Sequence, residues 1–474
     1  MSYCCLYATM AGSESHVDRM IEQTGSAIQN GEFPLKILND ESIYREELRR
    51  VFTRSWNYLG HVSELTEPGD YVRRHIGEDP YILTLDEKGE LHAFLDSCQH
   101  RGAQFCTADK GNTSHFRCPY HGWTYKNDGS LQGMPHMEES YQNLDTDDVS
   151  LEEAYVDTYK GLIFGRIVDE GPSLSDALGE MKYYLDVMFD LTEEGMTVVT
   201  DAHRWESDHD WKTSADNFAG DNYHVLTTHK AGFEAENIDR GPWEELPSMA
   251  ERKGKYNHLA VAEDVNGDYA GSLSLMVTYD DDTHMGYPEE ITDHYNSDLS
   301  EEQIELFSQS LYYFGTIFPN TTIIHAIQAG GWGGPWACIR KWQPRGPGET
   351  EVISWWLVPK ELEDDEEFME RSYRGWESLS PGGAFESDDL SVWSGISDSS
   401  KSVTLETRGT TGNMQQGMEG MCDGLESPDD PMFGPAAVTE YGGYYDERHS
   451  RGLLQAWYDR MSEGRPNPDG GTDE

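Results

Sequence analysis

The reading of this chain turns on two short loops, Cys98-Gln99-His100-Arg101-Gly102 and Cys118-Pro119-Tyr120-His121-Gly122-Trp123, with 17 residues between His100 and Cys118. Each offers one thiolate and one imidazole, and each carries a glycine just after the His, where a loop that wraps a metal group needs free backbone. A two-iron, two-sulfide cluster with two Cys on one iron and two His on the other requires this donor set. Tetrahedral zinc is satisfied by it too. The Cys-x-His spacing of the first loop is unusual for zinc and favours the cluster, with zinc as the alternative.

Outward from the loops, the segment from Trp56 to about Ile167 consists of short alternating runs punctuated by glycines from Gly60 to Gly133, which predicts a compact all-β domain. Helical periodicity lies on both sides of it, at Glu41–Ser55, Ser173–Phe189, Ser300–Leu311, Lys360–Leu379 and Ser450–Met461. The mixture predicts an α+β chain with the β domain set inside a larger unit. Residues 1–54 form a helical part of that unit, 55–167 the β domain, 168–463 the remainder, and 464–474 a disordered acidic tail. No internal repeat is visible.

A cluster by itself only moves electrons, and the segment Asp210 to His229, with Asp221, His224 and His229, offers a second metal site to use them. His224 and His229 are about 140° out of phase on a regular α-helix, so both face one metal only if the helix bulges or ends between them. Asp221, three residues before His224, is expected on the same helical face, within reach of that imidazole. Two imidazoles and a carboxylate make the facial triad that leaves open positions on ferrous iron. With 88 Asp and Glu in the chain, composition does not select the carboxylate, and two His standing alone are more often exposed or core side chains than ligands.

Together these segments resemble the Rieske non-haem iron oxygenases, the α (catalytic) subunits of aromatic-ring-hydroxylating dioxygenases in particular. The likeness runs over nearly the whole chain after Glu41, through Pro68-Gly69-Asp70-Tyr71, Gly161-Leu162-Ile163-Phe164-Gly165, Pro319-Asn320 and Trp355-Trp356-Leu357-Val358-Pro359. It implies a Rieske [2Fe-2S] cluster on Cys98, His100, Cys118 and His121. The fold it implies is an all-β Rieske domain inserted in a catalytic domain whose antiparallel sheet is flanked by helices in a helix-grip arrangement. High-potential Rieske proteins carry an extra, disulfide-forming Cys in each loop; Ala103 and Tyr120 stand at those positions here, which implies the oxygenase-type cluster. The likeness further implies mononuclear iron(II) on His224, His229 and Asp389. Asp389 is the second of the paired acids in Phe385-Glu386-Ser387-Asp388-Asp389-Leu390-Ser391-Val392-Trp393, and Asp388 is the alternative.

In a ring of three α chains, Asp221 is implied to join His224 of one chain to His121 of the next; the plainer alternative is a carboxylate that only orients His224. Electrons from NAD(P)H are implied to arrive through a reductase, usually with a ferredoxin. No Gly-x-Gly-x-x-Gly segment follows a strand, so the chain itself is not expected to bind the nicotinamide. The implied reaction uses O2 to convert an aromatic ring to a cis-dihydrodiol. Two other readings stay open: a monooxygenase or demethylase on the same scaffold, and a non-catalytic electron-transfer or metal-storing protein. A small β subunit, giving α3β3, is a further partner that the likeness allows. Departures are Asp216, where many relatives have Glu, and residues 231–297, which match less well.

Asn217, Phe218, Val225, Leu226, Phe385 and Trp393 flank the implied ligands and predict an apolar, aromatic pocket. No basic residue near the triad announces itself as a carboxylate clamp, which favours neutral aromatics over benzoate-like acids.

The remaining composition bounds partners and setting. Lys+Arg number 35 against 88 Asp+Glu, a formal charge of −53 at pH 7, which excludes nucleic acid and anionic membrane surfaces as partners. Only 13 of the basic residues are Lys, and the acid is spread from Asp40 to Glu474; both features predict a halophilic surface whose self-repulsion is screened by molar salt. Cys4, Cys5, Cys98, Cys106, Cys118, Cys338 and Cys422 are too few and irregular for a disulfide framework and fit a reducing cytoplasm. Cys106 reads as a small buried side chain. The uncharged stretch Leu306–Ile339 is broken by Pro319, Asn320, His325, Gln328 and the Gly330–Pro335 run, so no transmembrane helix is expected. The first residues lack the basic and apolar regions of a signal peptide, and Met10 offers a second start.

Overall fold

The computed structural model describes residues 16–106, 108–230, 257–278, 283–327, 334–405, 410–411, 430–439 and 447–463. The expected disordered tail, Cys4, Cys5, Cys422 and residues 231–256 of the poorly matching stretch lie outside them.

Two helices come first. α1 (His16–Gln29) buries Met20, Ile21, Thr24, Gly25 and Ile28; a Cβ on Gly25 would come within 2.5 Å of the Tyr458 ring. α2 (Glu41–Glu47) is capped by Asp40, whose carboxylate accepts from Ser42 N and Ile43 N. The helix expected to run on to Ser55 widens into a π-turn over Leu48–Phe52.

The chain then builds a β domain from β1 (Asn57–His61), β2 (Asp70–Ile76), β3 (Asp79–Leu85), β4 (Leu91–Leu95), β5 (Lys110–Asn112), β6 (His115–Arg117), β7 (Thr124–Lys126), β8 (Leu131–Gly133), β9 (Glu153–Tyr159) and β10 (Leu162–Arg166). One antiparallel sheet has the order β1-β10-β9-β4-β3-β2-β5, and β6-β7-β8 form a second, smaller one. One Cys/His loop follows β4 and the other joins β6 to β7. Between them Ile82, Phe94, Phe116, Trp123 and Tyr125 make a separate small core around Cys98 and Cys118.

The helix expected over Ser173–Phe189 breaks at Gly179, whose φ of 45° combined with ψ of −123° suits glycine alone. It forms α3 (Leu174–Leu178) and α4 (Met181–Phe189). The larger domain continues through β11 (Met196–Val198), β12 (His203–Ser207), α5 (Trp211–Gly220), α6 (Val225–Thr228), β13 (Asn257–Glu263) and β14 (Tyr269–Val277). After α7 (Glu301–Gln309) come β15 (Ser310–Ile317), β16 (Thr321–Ile327), β17 (Pro335–Gly346) and β18 (Glu349–Pro359). Last are α8 (Glu366–Glu377), α9 (Ala384–Ser400), β19 (Ala437–Val438) and α10 (Arg448–Ser462). Its antiparallel sheet has the order β11-β18-β17-β16-β15-β14-β13-β19, with β12 also paired to β18. The strands of Leu306–Ile339 are therefore sheet core, and no helix among the described residues is long and apolar enough to cross a membrane.

Glu47 of α2 draws the two ends of the chain onto α5. Fully buried, it accepts from Lys212 Nζ at 2.6 Å, Trp211 Nε1 at 3.1 Å and Trp457 Nε1 at 2.7 Å. Residues on both sides of the β domain thus share one core, and the β domain is an insertion in it. Contact between the domains includes Lys341 Nζ, which donates to the His75 carbonyl at 2.5 Å, and Trp355 Nε1, which donates to Glu64 Oε1 at 3.2 Å.

Candidate metal centres

The two Cys/His loops are copies of one turn. Gly102 N donates to Cys98 O at 2.8 Å and Gly122 N to Cys118 O at 3.0 Å, while Cys98 N and Cys118 N donate to Ala103 O and Trp123 O at 2.9 and 2.7 Å. Gly102 and Gly122 both have φ of 72°, the left-handed conformation this turn requires. The two imidazoles face each other, Nδ1 to Nδ1 at 3.1 Å, and Trp123 stacks on His100 with centroids 5.1 Å apart. Both Cys side chains are buried, and the Tyr125 hydroxyl lies 3.7 Å from Cys98 Sγ. Donors around one tetrahedral zinc lie within roughly 4 Å of each other. No three of these four converge even within 4.8 Å, an arrangement that suits a two-metal cluster rather than a single ion. Cys106 is buried nearby, and burial pushes its thiol up to about 12.

The second site is made by a helix that stops. α5 ends at Gly220, where φ is 152° and a Cβ would meet the Leu259 side chain at 2.4 Å. After a short turn the chain makes the single helical turn α6, with His224 at its start and His229 just past its end. The expectation that Asp221 shares a helical face with His224 is thereby corrected: Asp221 lies beyond the end of α5, and the turn brings the two together. Asp221 Oδ1 accepts from Tyr223 N at 2.9 Å and His224 N at 3.3 Å, and Oδ2 lies 3.3 Å from His224 Nδ1.

Across from this turn, α9 presents Asp389. Its Oδ1 lies 3.6 Å from His224 Nε2 and 3.4 Å from His229 Nε2, and the two Nε2 atoms are 3.2 Å apart. Three donors at bonding distance from one metal are about 3.0–3.4 Å apart, so the triangle fits a single ion. Asp388 points elsewhere, its Oδ2 3.6 Å from His229 Nδ1 on the opposite side of the ring. Electrostatics suit the same use. Burial pushes the Asp389 carboxyl up to about 7 against the pull of His224. Burial, then the His224 charge, lowers His229 to about 3, leaving it the neutral imidazole that a metal needs. Burial works against the charged forms of His224 and Asp221, yet their mutual hydrogen bond and charge outweigh it, raising the first and lowering the second.

A cavity of about 540 Å³ opens beside His224 and Asp389. Asn217 and Trp393 line it as expected, together with Leu35, Val392 and Ile396, but so do Asp216 and Asp221. The expected apolar, aromatic lining is corrected in part: Asp216 of α5 and Asp221 just beyond its end also face the cavity. Asn217 Nδ2 also lies 3.3 Å from His224 Nδ1. Phe218 stands behind the cavity, tilted against Trp342 at 5.4 Å and edge-on to Trp393 at 6.3 Å. Phe385 packs edge-on to His229 at 5.2 Å. Val225 begins α6 half-buried, and the Leu226 side chain lies outside the described residues. One charged pair escaped the sequence reading: Arg340 and Glu386, 2.7 Å apart and fully buried behind Asp389. Its only sequence signal is a cation in mid-strand between Ile339 and Lys341.

Residues 55–159 match the Rieske [2Fe-2S] domain, and residues 196–463 match the ring-hydroxylating α subunit catalytic domain. The chain belongs to the ring-hydroxylating dioxygenase α-subunit family. It is 32% identical over 444 residues to the benzene 1,2-dioxygenase α subunit of Pseudomonas putida, covering 92% of each chain. It is also 32% identical over 390 residues to the N,N-dimethyl phenylurea N-demethylase α subunit of a Sphingobium strain, covering 81% of this chain and 83% of that one. Among solved structures, naphthalene 1,2-dioxygenase from Rhodococcus sp. bound to indole superposes with a TM-score of 0.82 at 32% identity, covering 94% of this chain and 98% of that one. The expected α+β fold, a Rieske domain joined to a catalytic domain of antiparallel sheet and helices, is the fold of this family. So are the cofactors, a Rieske [2Fe-2S] cluster and a mononuclear iron, and the zinc alternative for the first site falls.

Proposed function

We propose that this chain is the terminal oxygenase that dihydroxylates a neutral aromatic ring to a cis-dihydrodiol, with NAD(P)H electrons delivered by a reductase and a ferredoxin. The observation that carries the reading is the triangle of His224, His229 and Asp389 at 3.2–3.6 Å beside the 540 Å³ cavity. Cys98, His100, Cys118 and His121 would hold the cluster, which would supply electrons, and His224, His229 and Asp389 would hold the iron, which would supply the O2 chemistry. The chain's own groups prepare the site. Asp221 holds His224 by Nδ1 and leaves Nε2 for the metal, Asp388 backs His229 at its Nδ1, and burial keeps His229 uncharged. Phe385 and Trp393 exclude water around the ligands.

Asp221 has a second role in this reading, joining His224 to His121 of the next chain in a ring of three α chains. What supports it is that Asp221 contacts the nitrogen facing away from Asp389 while 29% of its side chain stays exposed. A β subunit completing α3β3 is compatible with that ring. The acid-rich, Lys-poor surface supports a protein adapted to molar salt, and Cys106 and Cys338, buried thiols outside any disulfide, support a reducing cytoplasm.

A second reading, monooxygenation or N-demethylation on the same scaffold, has in its favour the relative named as an N-demethylase, which matches the identity of the benzene dioxygenase at 32% over a shorter stretch. Turnover of neutral aromatics under isotopically labelled O2 separates the two. Both labelled atoms in one organic product is the expected result; one labelled atom, or a dealkylated product, establishes the second reading. Roughly three irons and two sulfides per chain are expected in protein purified anaerobically in high salt.

A further inference from the structure

Behind Asp389 lies a charged pair that the chemistry above does not use. Arg340 sits in mid-strand on β17, opposite Thr322 of β16 and Ser354 of β18. Its Nη1 donates to Glu386 Oε2 at 2.7 Å and its Nη2 donates to the Leu379 carbonyl. The guanidinium packs over the rings of Trp205, Phe218 and Trp342 at 5.4–5.7 Å, and neither charged side chain reaches solvent. It therefore cannot serve the cavity as a clamp for a substrate carboxylate. Burying two charges costs about as much as their attraction returns, so well-packed apolar side chains of similar volume would hold these elements together at least as well. Stability gives no reason for the pair; its placement does.

Glu386 lies in the first turn of α9, three residues before Asp389, and both side chains are on the buried face of that helix. α9 starts after Gly383 with no side-chain cap, so the usual lock on a helix start is missing. Arg340 takes its place. One arm holds the turn that leads into the helix, and the other holds the carboxylate one turn ahead of Asp389. A guanidinium can grip two diverging acceptors at once, which an ammonium on a flexible stem does not reproduce.

We infer that Arg340 and Glu386 are a positioning pair that fixes the rotation and height of α9, so that Asp389 Oδ1 meets the Nε2 atoms of His224 and His229. The inference rests on Asp389 being an iron ligand. Full-length R340M/E386L and R340K are loaded anaerobically with iron and sulfide. Iron, acid-labile sulfide, thermal midpoint and ferrous affinity of the non-cluster site, by chelator competition, are then compared with wild type and with D389A. The expected result is unchanged sulfide and cluster absorbance, a folded double variant, and ferrous binding weaker by about tenfold or more in both pair variants. R340K keeps the buried charge balance, so the same loss there isolates geometry from stability. Wild-type ferrous affinity in a folded R340M/E386L or in R340K, with D389A lacking the third iron, overturns the inference and leaves the ligand assignment standing. A third iron retained by D389A overturns both.

Discussion

The Nε2 atoms of His224 and His229 lie 3.2 Å apart because the two residues stand at opposite ends of one helical turn. A continuous helix would splay them about 140° apart. Removing one donor leaves a site of two, while the twin loops around Cys98 and Cys118 have a core of their own. His229→Ala is expected to drop iron from roughly three to two per chain with sulfide and cluster colour retained and ring oxidation lost. Metal analysis with turnover checks it, and loss of the cluster as well would refute the separation of the centres.

The adjacent acids of α9 divide their work by direction. Asp389 faces both Nε2 atoms, and Asp388 faces the far nitrogen of His229. Asp389→Asn is expected to abolish the third iron. Asp388→Asn keeps it with ferrous affinity lowered about 10–100-fold, as loss of an outer partner does. Chelator titration of the two variants distinguishes them, and the reverse ranking would make Asp388 the ligand.

Lys341 is buried where the sheets of the two domains meet, and burial, then the charges of Arg74 and Arg345, lower its ammonium from 10.5 to about 7. The folded value is below the unfolded one, so the unfolded chain holds more protons between these limits. The contribution of this amine to stability is intact above about pH 10.5 and is lost as pH falls toward about 7. Lys341→Met removes that dependence. The thermal midpoint of the variant relative to wild type should rise by several degrees from pH 10 to pH 7; a constant difference would show that the amine titrates normally.

Glu47 is the shared acceptor of Lys212, Trp211 and Trp457, and Lys212 Nζ also lies 2.7 Å from Asp210 Oδ1. Glu47→Ala strands two buried indole donors and leaves the buried Lys212 ammonium with Asp210 as its remaining carboxylate. It should cost about 3–5 kcal/mol in denaturant unfolding. Because α5 carries Asn217 and ends one residue before Asp221, weakened ferrous binding is expected to accompany the loss. A cost below about 1 kcal/mol would mean that water replaces the carboxylate.

Legibility followed contiguity. The turn around Cys98 and the one around Cys118 are each closed by hydrogen bonds within six residues, so donor spacing and glycine position along the chain already describe them. α9 is the opposite case. Its buried face is Glu386, Asp389, Trp393, Ser397 and Ser400, a stripe with almost no apolar signal, and hydrophobic periodicity passes over it. The cavity wall is hard to read for a related reason: neighbours of the ligands along the chain need not line it, and Phe218 packs behind the cavity while Asp216 faces it.

By itself, the sequence determined the cluster loops, the β domain around them and the pair of histidines, because those depend on short-range backbone geometry and on donor types a few residues apart. Only the tertiary structure decided which carboxylate joins the histidines and what holds it there. Asp389 and His224 are 165 residues apart along the chain. Among so many acids, the rotation of α9 against the sheet, gripped by Arg340 from a central strand, is what selects one oxygen.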